Sequence, residues 1–211
     1  MTLHEVDRFT ELLCSRLCHD LISPIGAINN GLELVAEGDI GVLNDAMSLI
    51  GSSSRQASNR LAYFRLAFGA WGTDAATGFG ALRKTIDQYF ADKCPIDWIE
   101  PVADEHTAID KAFGKLLLNL LLVAAECAQR EARINVGIIL DGPRPRLSVA
   151  VRGERCRLRD DVRSGFTQEP TFSALTVRNV IAHHCRRLSG LLALDLTVAD
   201  RGPNSIEFTA A

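Results

Sequence analysis

The stretch CHDLISPIGAINNGLEL, residues 18–34, decides the fold of the N-terminal part of the chain. Apolar positions in and around it alternate spacings of four and three residues, the repeat by which a helix buries one face. These positions are Cys14, Cys18, Leu21, Ile25, Ile28, Leu32 and Val35. The pattern predicts a helix from residue 3 to about 36 with these side chains in its core. The two cysteines are interpreted as small core residues, since no second ligand pair is present to complete a metal site.

A second helix is predicted after the short polar turn EGDIG (37–41). Its apolar repeat consists of Met47, Ile50, Ser54, Ala57, Leu61, Phe64 and Phe68, and Gly69 and Gly72 end it. Two such helices joined by a tight turn form an antiparallel hairpin. A lone hairpin leaves apolar surface in water, so residues 1–72 are predicted to form a four-helix bundle with a second copy of the chain.

Residues 75–211 have a different pattern and are predicted to form a second domain. Helices are expected over 79–90, 110–130 and 173–190, and strands over 95–100, 133–140, 146–153, 191–198 and 205–210. Helices and antiparallel strands in this order imply an α+β fold in which helices cover one face of a sheet.

Composition excludes several classes of function. The chain has 211 residues, 47% of them hydrophobic, a net charge of −3 and a pI near 6.0, which argues against binding to nucleic acid. The N-terminus has no basic-then-apolar signal, and the longest apolar run (116–125) is far shorter than the roughly 20 residues that span a bilayer. The six cysteines form no CxxC pair, which fits a reducing compartment. A cytoplasmic protein without a membrane segment is therefore expected.

The histidine of the opening stretch points away from the apolar face. At about 100° per residue, His19 lies roughly 150° from the mean direction of the heptad positions. An exposed imidazole beside a carboxylate is a nucleophile whose tautomer and cationic form the neighbour can stabilise, so His19 and Asp20 are candidate catalytic residues. Pro24 removes a backbone donor and tends to kink the helix. The alternative is an ordinary exposed histidine, with Asp20 as one more solvated charge.

Further residues are candidates for contact with a partner protein. Arg16, Ser23 and Asn30 share the outer side of His19, and Gly26 lies at its edge, so mostly small side chains follow the histidine. Antiparallel pairing about a turn near residue 39 or 40 places Arg60 level with His19, with Arg55 and Asn59 close by in sequence. A basic residue at this level is suited to dock an acidic pocket of a partner, although an ordinary exposed helix arginine remains an alternative.

HDLISP (19–24) resembles the H-box of two-component sensor histidine kinases, in which the histidine carries a phosphoryl group. A dimerising helical hairpin followed by an α+β domain also resembles the layout of that family. The resemblance covers essentially the whole chain.

The second half departs from the kinase pattern at the positions that bind nucleotide. The long helix has Asn119, but Val123 stands at the position of the second asparagine. Val151 replaces the adenine-reading aspartate and Arg155 the last glycine of that motif, of which Gly153 survives, and TQEPTFSAL (167–175) replaces the glycine-rich stretch. Valine supplies no oxygen ligand for Mg²⁺, so we expect no ATP and no metal of the chain's own.

A kinase-like chain with a phosphoacceptor and no ATP site is similar to the ChpT-type histidine phosphotransferases of alphaproteobacterial cell-cycle phosphorelays. The resemblance implies a homodimer that accepts a phosphoryl group on His19 from the receiver domain of a hybrid histidine kinase and passes it to response regulators. It also implies that the receiver supplies Mg²⁺. Two alternatives stay open, a diverged ATP-dependent histidine kinase and a non-catalytic docking adaptor. His183 and His184 are interpreted as part of a solvated helix end.

Overall fold

The computed structural model describes residues 3–38, 40–70, 78–99, 104–129, 131–140, 144–167 and 174–211. Within these ranges the chain forms six α-helices and one five-stranded sheet. The helices are α1 (Leu3–Glu37), α2 (Leu43–Phe68), α3 (Phe79–Phe90), α4 (Lys111–Cys127), α5 (Asp160–Thr167) and α6 (Val180–Leu191). The strands are β1 (Ile96–Ile99), β2 (Arg133–Ile139), β3 (Arg146–Arg152), β4 (Leu196–Asp200) and β5 (Ser205–Ala210).

Helices α1 and α2 form the predicted antiparallel hairpin. Gly38 follows α1 with a φ of +74°, a left-handed conformation that costs glycine little and that reverses the chain. The helices approach closely at Gly31, where a Cβ atom would lie 2.6 Å from Cγ1 of Ile50. A glycine at this position therefore sets the distance between the two helices.

The predicted apolar core of the hairpin divides into two stripes. Leu21, Ile28 and Val35 share the face of Gly31 and are half-buried. The positions between them on α1 are exposed, and they include Cys14, Cys18, Ile25 and Leu32. On α2 the corresponding exposed side chains are Met47 and Leu61. The heptad positions were expected to line a bundle formed by two copies of the chain. One stripe of them is exposed in the single chain, because each helix has only one neighbouring helix to cover a face that is two stripes wide, and the bundle stays a prediction.

The second half forms the predicted α+β sandwich, with strand order β1-β2-β3-β5-β4. Alternate side chains of the strands, such as Ile134 and Val149, point into a core shared with α4 and α6. One pairing differs from the antiparallel expectation, since β1 and β2 are parallel. The reason is that α4 crosses over between them, and a helical crossover returns the chain in the same direction.

Several element bounds differ from the sequence prediction, and the largest differences are at α6 and β4. Helix α6 begins at Val180 because a turn precedes it, in which Asn179 donates to the carbonyl of Ala174 and accepts from the backbone N–H of Thr176. Helix α6 also extends to Leu191, so β4 starts five residues after the predicted strand. Helix α5 was not predicted. The expected domain boundary between residues 72 and 75 lies outside the described residues and stays a prediction.

The hairpin packs directly on the sandwich. Tyr63 of α2 is fully buried, donates from its hydroxyl to the carbonyl of Leu118 at 2.7 Å, and stacks on Tyr89 of α3 with ring centroids 4.1 Å apart. Asn119 donates from Nδ2 to the carbonyl of Ala67 near the end of α2. These contacts hold the C-terminal end of α2 against the sandwich.

The expectation of a solvated end for α6 is wrong for His184. Its side chain is buried between α1 and α2, with its ring centroid 5.4 Å from that of Phe9 and 6.1 Å from that of Phe68. Burial, with a contribution from the charge of Arg187, lowers the pKa of His184 to about 3. The imidazole is therefore a neutral core group.

Within the described ranges, no helix is both long and apolar enough to cross a bilayer.

Candidate functional site

His19 lies on the middle of α1 with 83% of its side chain exposed. Residues three or four positions apart on a helix share a face, and Ser23, Gly26 and Asn30 continue the face of His19. Ser23 and Asn30 are exposed, and a Cβ atom at Gly26 would find nothing within 4 Å. The imidazole therefore stands at the head of an open strip of small side chains.

Asp20 lies against one nitrogen of the imidazole. Nδ1 of His19 lies 3.2 Å from Oδ1 of Asp20, whose side chain is only 22% exposed. A carboxylate accepts hydrogen bonds, so this contact favours the tautomer with the ring proton on Nδ1. The lone pair of Nε2 is then free and available to an approaching electrophile.

Arg16 connects this pair to the second domain. Its Nε donates to Oδ2 of Asp20 at 3.2 Å, and its Nη2 donates to Oε1 of Glu126 in the last turn of α4. Arg16 was predicted to face solvent, and this prediction is wrong, since its side chain is only 20% exposed. The physical reason is that Glu126 of α4 reaches this side of α1 and pairs with the guanidinium.

The charges of this network oppose the effects of burial. Burial lowers the pKa of Arg16, but the negative charges of Glu126 and Asp20 outweigh it and raise the pKa above its ordinary value. Burial raises the pKa of Glu126, and Arg16 offsets part of that rise. The guanidinium is thus a permanent positive charge held between two carboxylates.

Pro24 and Arg60 form a second link between the helices at the level of the histidine. In an α-helix the carbonyl of Asp20 would accept from the N–H of residue 24, but proline has none. Instead Nη1 of Arg60 donates to the Asp20 carbonyl, and Nη2 donates to Gln56 at 3.1 Å. The proline therefore frees the acceptor that holds Arg60 beside the histidine, at the level that the hairpin register predicts.

The other predicted partner-contacting residues occupy different environments. Arg55 is exposed on α2, five residues before Arg60. Asn59 is half-buried and donates from Nδ2 to the carbonyl of Gln88 at 3.2 Å, so its amide joins α2 to α3.

A cleft beside Arg60 contains Lys93, which sequence reasoning missed. The ammonium of Lys93 lies 3.6 Å from the centre of the Tyr89 ring. Burial and the positive charge of Arg60 lower the pKa of Lys93 to about 8. Glu126 was missed as well, because it is 110 residues from Arg16 and no local spacing connects the two positions.

Three of the positions that correspond to the kinase nucleotide site belong to the interior of the sandwich. Asn119, Val123 and Val151 are buried, and Asn119 uses its amide to hold the end of α2. Arg155 is exposed. Most of the segment at the kinase glycine-rich stretch lies outside the described residues. Among those described, no group of three or more His, Cys, Asp or Glu side chains has the geometry of a metal site.

Known proteins similar to this chain include two that are named as phosphotransferases. The family model "Histidine phosphotransferase C-terminal domain" matches residues 79–204. Protein phosphotransferase ChpT of Brucella abortus (strain 2308) is 38% identical over 172 residues, which cover 79% of this chain and 79% of that protein. A solved bacterial phosphotransferase matches with a TM-score of 0.82 and 33% identity, covering 100% of this chain and 98% of that one. The histidine kinase AdeS of Acinetobacter baumannii matches with a TM-score of 0.46 and 13% identity, over 91% of this chain and 95% of that one.

Proposed function

The chain belongs to the histidine phosphotransferase family, and we propose that His19 is the residue that carries the phosphoryl group. The observation that supports this assignment is an imidazole 83% exposed, with Nδ1 in contact with a carboxylate. The donor is the aspartyl phosphate of a hybrid kinase receiver domain, and the acceptors are the receiver aspartates of response regulators.

In the proposed reaction the Nε2 lone pair attacks the phosphorus of the receiver aspartyl phosphate in line. The N–P bond forms as the P–O bond to the aspartate breaks, and the aspartate leaves as a carboxylate. The ring acquires positive charge, which Asp20 offsets while the proton stays on Nδ1. Transfer to a second receiver reverses these steps. Because the chain contributes a nucleophile and its orientation, the receiver is expected to supply Mg²⁺, and no ATP is required.

The receiver docks on the strip of small residues that follows His19. A glycine in the interior of a helix costs about 0.5–1 kcal/mol relative to alanine. The packing of this chain does not require that cost at Gly26, since its Cβ position is empty. A partner that closes over the imidazole does require a residue without a side chain at this position. Ser23 and Asn30 offer hydrogen bonds on either side of the glycine.

The active form is proposed to be a homodimer. The outer stripes of the hairpin expose Ile25 by 48%, Leu32 by 52%, Met47 by 57% and Leu61 by 55%. Their seven-residue repeat on each helix matches the seam of a four-helix bundle, so a second hairpin of the same sequence is the occupant that fits. Removal of these side chains from water would supply roughly 1.5–3 kcal/mol for each residue that becomes fully buried.

Transfer from a radiolabelled receiver phosphate tests the function. A phosphorylated hybrid-kinase receiver, freed of kinase and ATP, is mixed with the purified chain. We expect label to move to the chain and onward to a second receiver, and His19→Gln to abolish both steps while its circular dichroism is unchanged. Label that persists on the His19→Gln variant would exclude His19 as the carrier. Labelling of the chain by ATP alone would instead support the diverged kinase, and receiver binding without transfer would support the docking adaptor.

A further inference from the structure

A feature outside the helical hairpin determines the environment of its histidine. Glu126 lies in the last turn of α4 in the sandwich, and its carboxylate accepts from the same guanidinium that donates to Asp20. Through these contacts an unbroken series of side chains leads from the sandwich to the imidazole: Glu126, Arg16, Asp20 and His19. We propose that Glu126 is a positioning residue for phosphoryl transfer, which holds Arg16 so that Asp20 keeps Nε2 of His19 aimed at the incoming phosphorus.

Local helix chemistry does not account for an acid at this position. The C-terminal end of a helix carries partial negative charge, which disfavours a carboxylate in the last turn by roughly 0.3–1 kcal/mol. Glu126 occupies that turn of α4, and the last turn contains no basic residue. The compensating charge comes from Arg16 of α1, whose side chain is mostly removed from solvent. The acid is therefore explained by its contact with the hairpin.

The Arg16–Asp20 pair also benefits from a second anchor. A basic residue four positions before an acid is the weaker order of an i, i+4 pair on a helix, worth only a few tenths of a kcal/mol when isolated. A planar guanidinium fixed at two of its N–H groups has lost most of its rotational freedom. Asp20 then accepts from a fixed donor at Oδ2 and leaves Oδ1 for the imidazole. Without Glu126, Arg16 rotates toward solvent and Asp20 is held less firmly.

This role differs from docking and from general stabilisation in what it changes. A positioning residue acts on the transition state that transfer to and from His19 share, so its loss slows both directions by one factor and leaves the equilibrium constant unaltered. A docking residue changes the receiver concentration at half-maximal rate. A purely structural residue changes the fraction of chains that react. The inference rests on the proposed function of His19, and these readouts separate the alternatives.

Single-turnover transfer provides the test, with rates measured over a range of receiver concentrations in both directions. We expect Glu126→Gln to lower the maximal rate by about tenfold in each direction, the effect of a small misplacement of a reacting group. The half-saturating receiver concentration and the final extent of phosphorylation should stay within about twofold of wild type. The thermal midpoint should stay within about 2–3 °C of it. Asp97→Asn is the matched control, since it removes the carboxylate of another arginine pair, with Arg133, within the sheet.

A second variant keeps the test decisive if Glu126→Gln folds poorly. Arg16→Lys preserves the positive charge but lacks the fork that spans two carboxylates, and it should slow transfer by a similar factor. In the Arg16→Lys background, Glu126→Gln should add little, because both changes break the same connection. Rates for both single variants equal to wild type, or effects that multiply in the double variant, would overturn the positioning role. No transfer by the wild type would instead refute the proposed function itself.

Discussion

Replacement of Arg60 by methionine tests the link created by Pro24. The Asp20 carbonyl accepts from Arg60 because Pro24 has no N–H to offer. Methionine keeps the length of the aliphatic stem and removes the donor, so a half-buried carbonyl is left without its partner. A hydrogen bond from a charged group contributes about 1.5–3 kcal/mol, and a buried group left unsatisfied costs about 1–3 kcal/mol. We expect Arg60→Met to lower the free energy of unfolding by about 1–3 kcal/mol.

The specific prediction is that this cost depends on Pro24. In a Pro24→Ala background the N–H of residue 24 can donate to the Asp20 carbonyl, as in an uninterrupted helix. Arg60→Met should then cost about 1 kcal/mol less than it does beside Pro24. Urea unfolding of the four proteins, followed by circular dichroism at one protein concentration, gives the coupling energy. A cost of Arg60→Met that is equal in both backgrounds to within about 0.5 kcal/mol would refute the reasoning.

The remaining predictions concern the dimer, the nucleophile and the core. Leu32→Glu should convert a dimer into a monomer at micromolar concentration by sedimentation equilibrium, and a wild type that is already monomeric there would rule out the bundle. Asp20→Asn should slow single-turnover transfer by about 10²-fold, because the imidazole loses the carboxylate that orients it and offsets its positive charge, and an unchanged rate would remove Asp20 from the mechanism. The pKa of His184 is about 3 in the folded chain and 6.5 as its ordinary value, so as the pH falls the unfolded chain binds a proton at this residue before the folded chain does. Stability present above pH 6.5 is therefore lost as the pH falls toward 3, by at most about 5 kcal/mol, and His184→Phe should flatten this profile whereas His106→Gln should not.

Local periodicity was sufficient to predict the hairpin and the level of its residues. The alternation of threes and fours is a property of one helix, so the bounds of α1 were predicted to within about two residues. A turn near residue 39 then placed Arg60 level with His19, and the contact of Arg60 with the Asp20 carbonyl agrees. The same periodicity does not show which of two adjacent apolar stripes is covered by the second helix of the same chain. Ile25 and Ile28 therefore looked equivalent, although only Ile28 is half-buried within the chain.

The contacts between the two halves were beyond the reach of sequence patterns. Arg16 was predicted to face solvent because the hairpin was treated alone, whereas Glu126 of α4 reaches it from the sandwich. His184 was misassigned for the same reason, since Phe9 and Phe68 come from the other half of the chain. The start of α6 depends on side-chain bonds of Asn179, a turn signal that helical propensity obscured.

The most direct test of the account is the location of the phosphoryl group on the chain after transfer from a receiver. The chain, with ¹⁵N-labelled histidine, is phosphorylated by a receiver aspartyl phosphate and examined by ³¹P and ¹⁵N NMR, with His19→Gln as the reference. The contact between Nδ1 and Asp20 predicts a single phosphoryl group bonded to Nε2 of His19, with the proton retained on Nδ1. A phosphoryl group on Nδ1, or on any residue other than His19, would contradict the account.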